Sequence, residues 1–264
     1  MRNKVKATVI IVHGAFEHAG RYQHLAERLR SDGFSVILDD LPGQGKSKED
    51  KGHIRKFDDY LHTLLQWIEQ AGKQHPVFLL GHSMGGIIVI RTLQKYKPEV
   101  NGVILSSPAL GILNGPSKPV EGFSKLVNFV RPSFKVSSTI SPEKVTRNQE
   151  VIKNHKEDPL IIKRVSVRWY LEFQKAIKNA MKQADEFPAL PTLVLQAGDD
   201  LIIDHRKTYE WFNNINTHEK TYKHWPDYYH EIFNEVEWKL VYTYMLNFID
   251  QQLLNHQKRG DQRD

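Results

Sequence analysis

The chain has 264 residues, 40% hydrophobic and 26% charged, enough for one large core or a core carrying an inserted subdomain. It has no cysteine, which excludes disulfide staples and thiolate chemistry and fits a reducing cytoplasm. The formal charge of +6 comes with no nucleic-acid recognition motif, internal repeat or low-complexity tract, so a nucleic-acid partner is not expected.

In chain order, ATVIIVHG (7–14) is the first apolar run, too short for a signal-peptide core or a bilayer span. FSVILDD (34–40), PVFLLG (76–81), NGVILSS (101–107), PTLVLQAG (191–198) and EKTYKHW (219–225) complete six strand-like runs. The first five are nearly continuous in apolar residues, as strands buried on both faces of a parallel sheet are. Helical patterns alternate with them. Tyr22, Leu25, Ala26 and Leu29 share a face that Gly33 can close. Phe57, Tyr60, Leu61, Leu64, Leu65 and Ile68 form a second stripe, and Leu240, Val241, Tyr244, Met245, Phe248 and Ile249 a third. This alternation predicts an α/β fold with a mostly parallel sheet of about six strands. The interval 111–187 is far longer than a crossover helix requires and reads as an inserted, largely helical cap on a core of 1–110 and 188–264.

Gly81-His82-Ser83-Met84-Gly85 fits G-x-S-x-G, with a strand running into it and a helical sequence, GIIVIRTLQKY, leaving it. Such a turn crowds the backbone and lifts the serine hydroxyl above the sheet, beside the amides that open a helix. A glycine-rich strand-to-helix turn with an incidental serine is the plainer reading of the motif alone. A serine needs a base, and the base needs an orienting acid. Asp199 and Asp200 follow the run at 191–198. Asp200 is preferred because two apolar residues follow at the right offset, and Asp204 suits the cap of the next helix. His230 lies between the last strand and the last helix. An aspartate after a strand is commonly a turn residue, and a single loop histidine is commonly solvated. Their order, each after its own strand, favours the catalytic reading. The backbone N–H of Met84 and that of Ala15, in the loop after the first strand, are the expected oxyanion donors.

HGAFEHAGRY, LPGQGKS, GHSMGG and YHEIFNE together resemble the signatures of the monoglyceride-lipase-like α/β hydrolases, most closely their bacterial phospholipase and lysophospholipase members. The resemblance spans nearly the whole chain and is weakest in the cap. It implies Ser83 as nucleophile, Asp200 as orienting acid, His230 as base, and Ala15 and Met84 as amide donors, with no metal or other cofactor. Only six residues precede the first strand, so the two N-terminal strands usual in the superfamily have no room. The implied reaction cleaves a lipid carboxylic ester through an acyl-enzyme. Lysophospholipid is the first choice, monoacylglycerol or a general carboxylic ester the second. Transfer to an acceptor alcohol and a non-catalytic ligand-binding role are further alternatives. Activity is expected to climb through a pH near ~6.5, the ordinary histidine value.

Residues 111–187 hold 14 basic and 8 acidic residues, while the remainder is balanced at 23 of each, so the whole excess lies in the cap. Phe123, Leu126, Val127 and Val130 fall on one helical face among Lys118, Lys125, Arg131 and Lys135. That face suits peripheral contact with an anionic membrane, at the inner face for a cytoplasmic protein, but packing on the hydrolase body is the plainer reading, since most such helices are core-packed. Trp169, Phe173, Ile177 and Met181 form a stripe that reads as cap core, with an acyl-pocket role for Trp169 and Phe173 as the alternative; Phe16 is a further pocket candidate. His13, His18 and His24 are spaced five and six apart, which does not make an i, i+4 metal pair.

Overall fold

The computed structural model describes residues 5–113, 118–137 and 140–261. Six strands form one sheet: β1 (Thr8–Val12), β2 (Ser35–Ile37), β3 (Val77–His82), β4 (Gly102–Ser106), β7 (Thr192–Ala197) and β8 (Lys220–Trp225). Between β4 and β7 a separate antiparallel pair forms from β5 (Lys135–Ser137) and β6 (Arg164–Ser166). The sheet order is β2-β1-β3-β4-β7-β8, and every neighbouring pair in it is parallel. The six apolar runs therefore become the six strands of the sheet. β1, β3, β4 and β7 are buried along their whole length because helices cover both faces.

On one face lie α1 (Gln23–Ser31) and α8 (Trp238–Asp261), on the other α2 (Asp58–Ala71), α3 (Met84–Tyr96) and α7 (His205–Asn214). The alternation of side chains along β1 separates two cores. Val9 and Ile11 pack with Leu25, Leu29, Val241 and Met245, whereas Ile10 and Val12 pack with Leu64, Ile87, Ile90 and Trp211. Gly33, at φ +92°, lets the chain turn out of α1 into β2.

The described residues of 111–187 fall between β4 and β7 in the chain, and several line the cavity beside Ser83. They form α4 (Lys118–Val130), α5 (Gln149–Glu157) and α6 (Val167–Lys182) around the β5–β6 pair. Trp169, Phe173, Ala176, Ile177 and Ala180 of α6 join the core cluster of the β1–β3–β4 face, and Trp169 Nε1 donates to Tyr60 Oη at 2.8 Å. At the sequence edge of the region Ile112 bridges to Ile203. Among the described residues no helix is long and apolar enough to cross a membrane.

The chain leaves β1 for β2 on one side and returns to β3 on the other. That reversal opens a crevice beyond the carboxyl ends of the strands, where ligands bind in open parallel sheets. Ala15, Ser83, Asp200 and His230 follow β1, β3, β7 and β8 respectively, all at that end.

Candidate active site

Ser83 occupies the turn between β3 and α3 with φ 52° and ψ −116°, a strained conformation for a residue with a Cβ. The glycines around it make room for the turn. A Cβ on Gly81 would lie 2.6 Å from the Gly85 carbonyl oxygen, and one on Gly85 would lie 2.1 Å from that of Val12. The Ser83 carbonyl accepts from Gly86 and Ala109, which fixes the turn from both sides.

His230 Nε2 lies 2.9 Å from Ser83 Oγ, and its Nδ1 lies 2.8 Å from Asp200 Oδ2. Asp200 Oδ1 accepts from the backbone amides of Ile202 and Ile203 at 2.9 and 2.8 Å, which aims the carboxylate and holds it ionised. Burial would raise the Asp200 pKa, but His230 and these amides outweigh it and keep it below the usual carboxylate range. An ionised carboxylate only accepts, so His230 Nδ1 carries the proton. In the neutral ring Nε2 then presents a lone pair, and the Ser83 hydroxyl donates to it. Burial pushes the His230 imidazole down; Asp200, its hydrogen bond, Glu231 and Glu17 together push it further up, so it titrates above its ordinary value. Asp199 is exposed, and Asp204 caps α7 by accepting from Arg206 N–H at 3.0 Å.

The loop after β1 is held by side chains from elsewhere. Gly14 N–H donates to Glu17 Oε1, and Phe16 N–H donates to Gln44 Oε1 at 2.7 Å with Phe16 at φ +70°. Among the described residues no hydrogen bond engages the Ala15 N–H. Met84 is the first residue of α3, where a helix amide has no acceptor within its own helix. Ala15 lines both pockets beside Ser83, and Met84 follows Ser83 directly in the chain.

Ser83 sits between two pockets. The larger, about 410 Å³, is walled chiefly by apolar residues including Phe16, Ala109, Ile112, Val167, Trp169 and Phe173. The smaller, about 60 Å³, is bordered by Glu17, His155, His230 and Glu231. Phe16, Trp169 and Phe173 thus line the cavity beside Ser83. Leu126 and Val127 do not line either pocket: Leu126 is 61% exposed, because the α4 face carrying it with Phe129 and Val130 turns outward and Val127 is only half-buried. The Phe123 side chain and the structure of Lys118's side chain lie outside those described.

Glu17, Arg21, Gln44 and Glu231 went without a role in the sequence reading although all lie in or beside its quoted motifs. The signal available was that Glu17 and Glu231 are charged residues set among strand-end and core residues. Their partners come from distant segments and are not visible in any local pattern. Among the described residues no group of three or more His, Cys, Asp or Glu could hold a metal ion.

A parallel sheet carrying a hydroxyl, an imidazole and a carboxylate in relay, beneath an inserted helical region, defines a serine hydrolase of the α/β-hydrolase fold. Sequence comparison agrees. Residues 3–237 match the family described as "Serine aminopeptidase, S33", and the chain belongs to that family. It is 44% identical over 249 residues to "Phospholipase YtpA" of Bacillus subtilis, covering 94% of this chain and 96% of that protein. It is 31% identical over 237 residues to "Monoglyceride lipase" of Rattus norvegicus, covering 88% and 77%. The crystal structure of Paleococcus ferrophilus monoacylglycerol lipase superposes with a TM-score of 0.86 at 29% identity, covering 94% of this chain and 97% of that one.

Proposed function

We propose that the protein hydrolyses the carboxylic ester of a single-chain lipid, a lysophospholipid first and a monoacylglycerol second, through a covalent acyl-enzyme. The observation that carries this reading is the 2.9 Å contact between His230 Nε2 and Ser83 Oγ at the border of an apolar cavity. The relatives named as a phospholipase and a monoglyceride lipase support the lipid ester. The family description names an aminopeptidase, which must bind a substrate ammonium. The larger cavity has no carboxylate on its described wall, where the charged residue is Lys144, a cation, and the two carboxylates bordering the smaller pocket, Glu17 and Glu231, are both engaged by Arg21. Lys144 and the basic excess of residues 111–187 favour a phosphate-bearing headgroup over a neutral glycerol.

In this mechanism the acyl chain lies in the 410 Å³ cavity, within the range of about 300–1,000 Å³ typical of ligand pockets. Neutral His230 takes the Ser83 proton as Oγ attacks the ester carbonyl carbon. Asp200 holds the ring tautomer and stabilises the imidazolium. The Ala15 and Met84 amides stabilise the tetrahedral oxyanion, each worth roughly 3–4 kcal/mol. The C–O bond to the alcohol breaks as His230 returns the proton to the leaving oxygen. Water, deprotonated by His230, then attacks the acyl carbonyl and releases the fatty acid and free Ser83. Residues 111–187 act as the cap of a core formed by 1–110 and 188–264. The outer face of α4 brings the site to an anionic lipid surface.

The test is a hydrolysis panel of lysophospholipids, monoacylglycerols and short-chain nitrophenyl esters with the intact protein and Ser83→Ala. Loss of nearly all turnover in the variant, with circular dichroism unchanged, and fluorophosphonate labelling of the intact protein alone are the expected results. Full turnover by Ser83→Ala sinks the reading, and preference for monoacylglycerol sinks the headgroup assignment only.

A further inference from the structure

Arg21 stands where the loop after β1, the loop after β8 and α5 meet. Its Nε donates to Glu17 Oε2 at 3.1 Å, its Nη2 donates to Glu231 Oε2, and its Nη1 donates to His155 Nδ1 at 3.1 Å. The guanidinium side chain and both carboxylate side chains are buried. Each carboxylate carries a further load. Glu17 Oε1 accepts from Gly14 N–H and, at 2.8 Å, from Tyr22 O–H; Glu231 Oε2 accepts from Asn234 Nδ2 at 3.0 Å. One cation therefore joins the segment that shapes the Ala15 amide to the residue next to His230.

The charges also matter for the imidazole. His230 faces Asp200 from the loop after β7, Ser83 and His82 from the end of β3, and Glu17 from the loop after β1. Glu231 adjoins it in its own loop, and Arg21 and the α5 residue His155 stand beyond the two glutamates. Glu17 and Glu231 both favour the imidazolium, and among the described residues Arg21 is the one cation in contact with both to offset them. Two buried carboxylates sharing one guanidinium make the site sensitive to its removal, since an uncompensated buried charge acts at low screening.

We propose that Arg21 is a positioning residue: it ties the loop carrying Ala15 to the loop carrying His230 and, by neutralising Glu17 and Glu231, keeps the imidazole available as a base. This rests on the hydrolytic reading above. The planar fork reaches three acceptors at once, which a lysine ammonium on its flexible stem does not reproduce. Geometry and charge are therefore separable by substitution.

The experiment is kcat/KM against pH for a soluble nitrophenyl ester with the intact protein, Arg21→Gln, Arg21→Lys and Glu231→Gln. Arg21→Gln is expected to move the acidic limb up by about half a pH unit or more and to lower the plateau by about tenfold to a hundredfold. Arg21→Lys keeps the limb near its original position while the plateau stays low. Glu231→Gln, which leaves the Arg21–Glu17 pair in place, moves the limb down. An acidic limb unmoved in both Arg21→Gln and Glu231→Gln makes Arg21 a purely structural ion pair and overturns the proposal. Should Arg21→Gln fail to fold, the direction of the Glu231→Gln shift decides alone. Ser83→Ala run alongside keeps the two readings apart: turnover without Ser83 sinks the hydrolytic reading and the role of Arg21 with it, whereas a strict need for Ser83 with unmoved limbs sinks only the role of Arg21.

Discussion

Gly85 is two residues past the serine and has an ordinary helical environment, yet the position accepts no side chain. The Cβ of an alanine there would lie 2.1 Å from the Val12 carbonyl oxygen and 2.6 Å from that of His13. Val12 ends β1 and pairs there with Gly81 of β3, so its carbonyl cannot move without opening that ladder. Relief must come from displacing α3, and α3 carries Ser83 and the Met84 amide at its start. Gly85→Ala is therefore expected to lower stability by about 1–3 kcal/mol, in the range of overpacked cores, and to lower activity more than stability alone explains. Thermal unfolding followed by circular dichroism checks the first part, and turnover per fluorophosphonate-titrated site checks the second. An alanine variant with unchanged melting and unchanged turnover would mean that the β1–α3 contact is looser than described. The same closeness explains why a glycine follows the serine at this spacing: the strain of Ser83 at φ 52° is held by a helix pressed against the neighbouring strand.

At the scale of elements, α4 departs most from its sequence reading. Leu126, Phe129 and Val130 are 61%, 87% and 76% exposed, so this face does not pack on the body. Lys125 and Arg131 are exposed near it, whereas Lys135 is engaged with Asp50 at 2.6 Å. An apolar face rimmed by cations suits insertion into anionic lipid, each fully buried Phe or Val contributing about 1.5–3 kcal/mol. Phe129→Ser with Val130→Ser is expected to lower the ratio of activity on phosphatidylglycerol vesicles to activity on a soluble ester by about tenfold or more. Co-sedimentation with the same vesicles should weaken in parallel, and added salt should weaken the binding of the unmodified protein through its basic rim. Vesicle binding indifferent to the double substitution would leave α4 without this role. The sequence showed the helix and its amphipathic pattern, because a 3.6-residue period is local. It did not show which side faces outward, since that depends on how α4 meets α6, fifty residues on. The strands were legible for the same local reason, their apolar runs being continuous. The strand-end positions of Ser83, Asp200 and His230 were legible too, each marked by a short motif. The Glu17–Arg21–Glu231 cluster was not, because its partners lie 210 residues apart in the case of Arg21 and Glu231 and only the closed sheet brings them together.

Across the whole molecule, acid should act through buried histidines before it reaches the carboxylates. His82 lies beside His230, with ring centroids 4.7 Å apart, and burial, reinforced by His230, pushes it down to about 3. His13 is also held down by burial. Its Nδ1–H donates to the Gly14 carbonyl at 2.9 Å, and its Nε2 accepts from Leu41 N–H at 3.0 Å, a bond that protonation of Nε2 would replace with two opposed donors. For both groups the folded value lies below the unfolded one near ~6.5. The neutral ring is then the native form, and its stabilising contribution is complete above ~6.5 and lost as pH falls from there. For His82 the loss by pH ~4.5 is of order 3 kcal/mol, a large part of a typical 5–15 kcal/mol total. Asp200 and Glu231 are also held low, but their contributions fade only as pH falls through carboxylate values, below ~4. His230 opposes the trend, since its raised folded value favours the protonated native state as pH falls, but burial also holds down His24, His53 and His155, so it is outweighed. The protein is accordingly expected to unfold with a midpoint between about pH 4 and 5.5. His82→Asn keeps a polar atom within reach of Ser106 Oγ, now 3.1 Å from the His82 Nδ1, and removes the titration. Its acid midpoint, measured by circular dichroism and referred to its own stability at neutral pH, should move down by about half a unit or more. A midpoint that stays in place would show that protonation of other groups, not of the His82 ring, opens the fold.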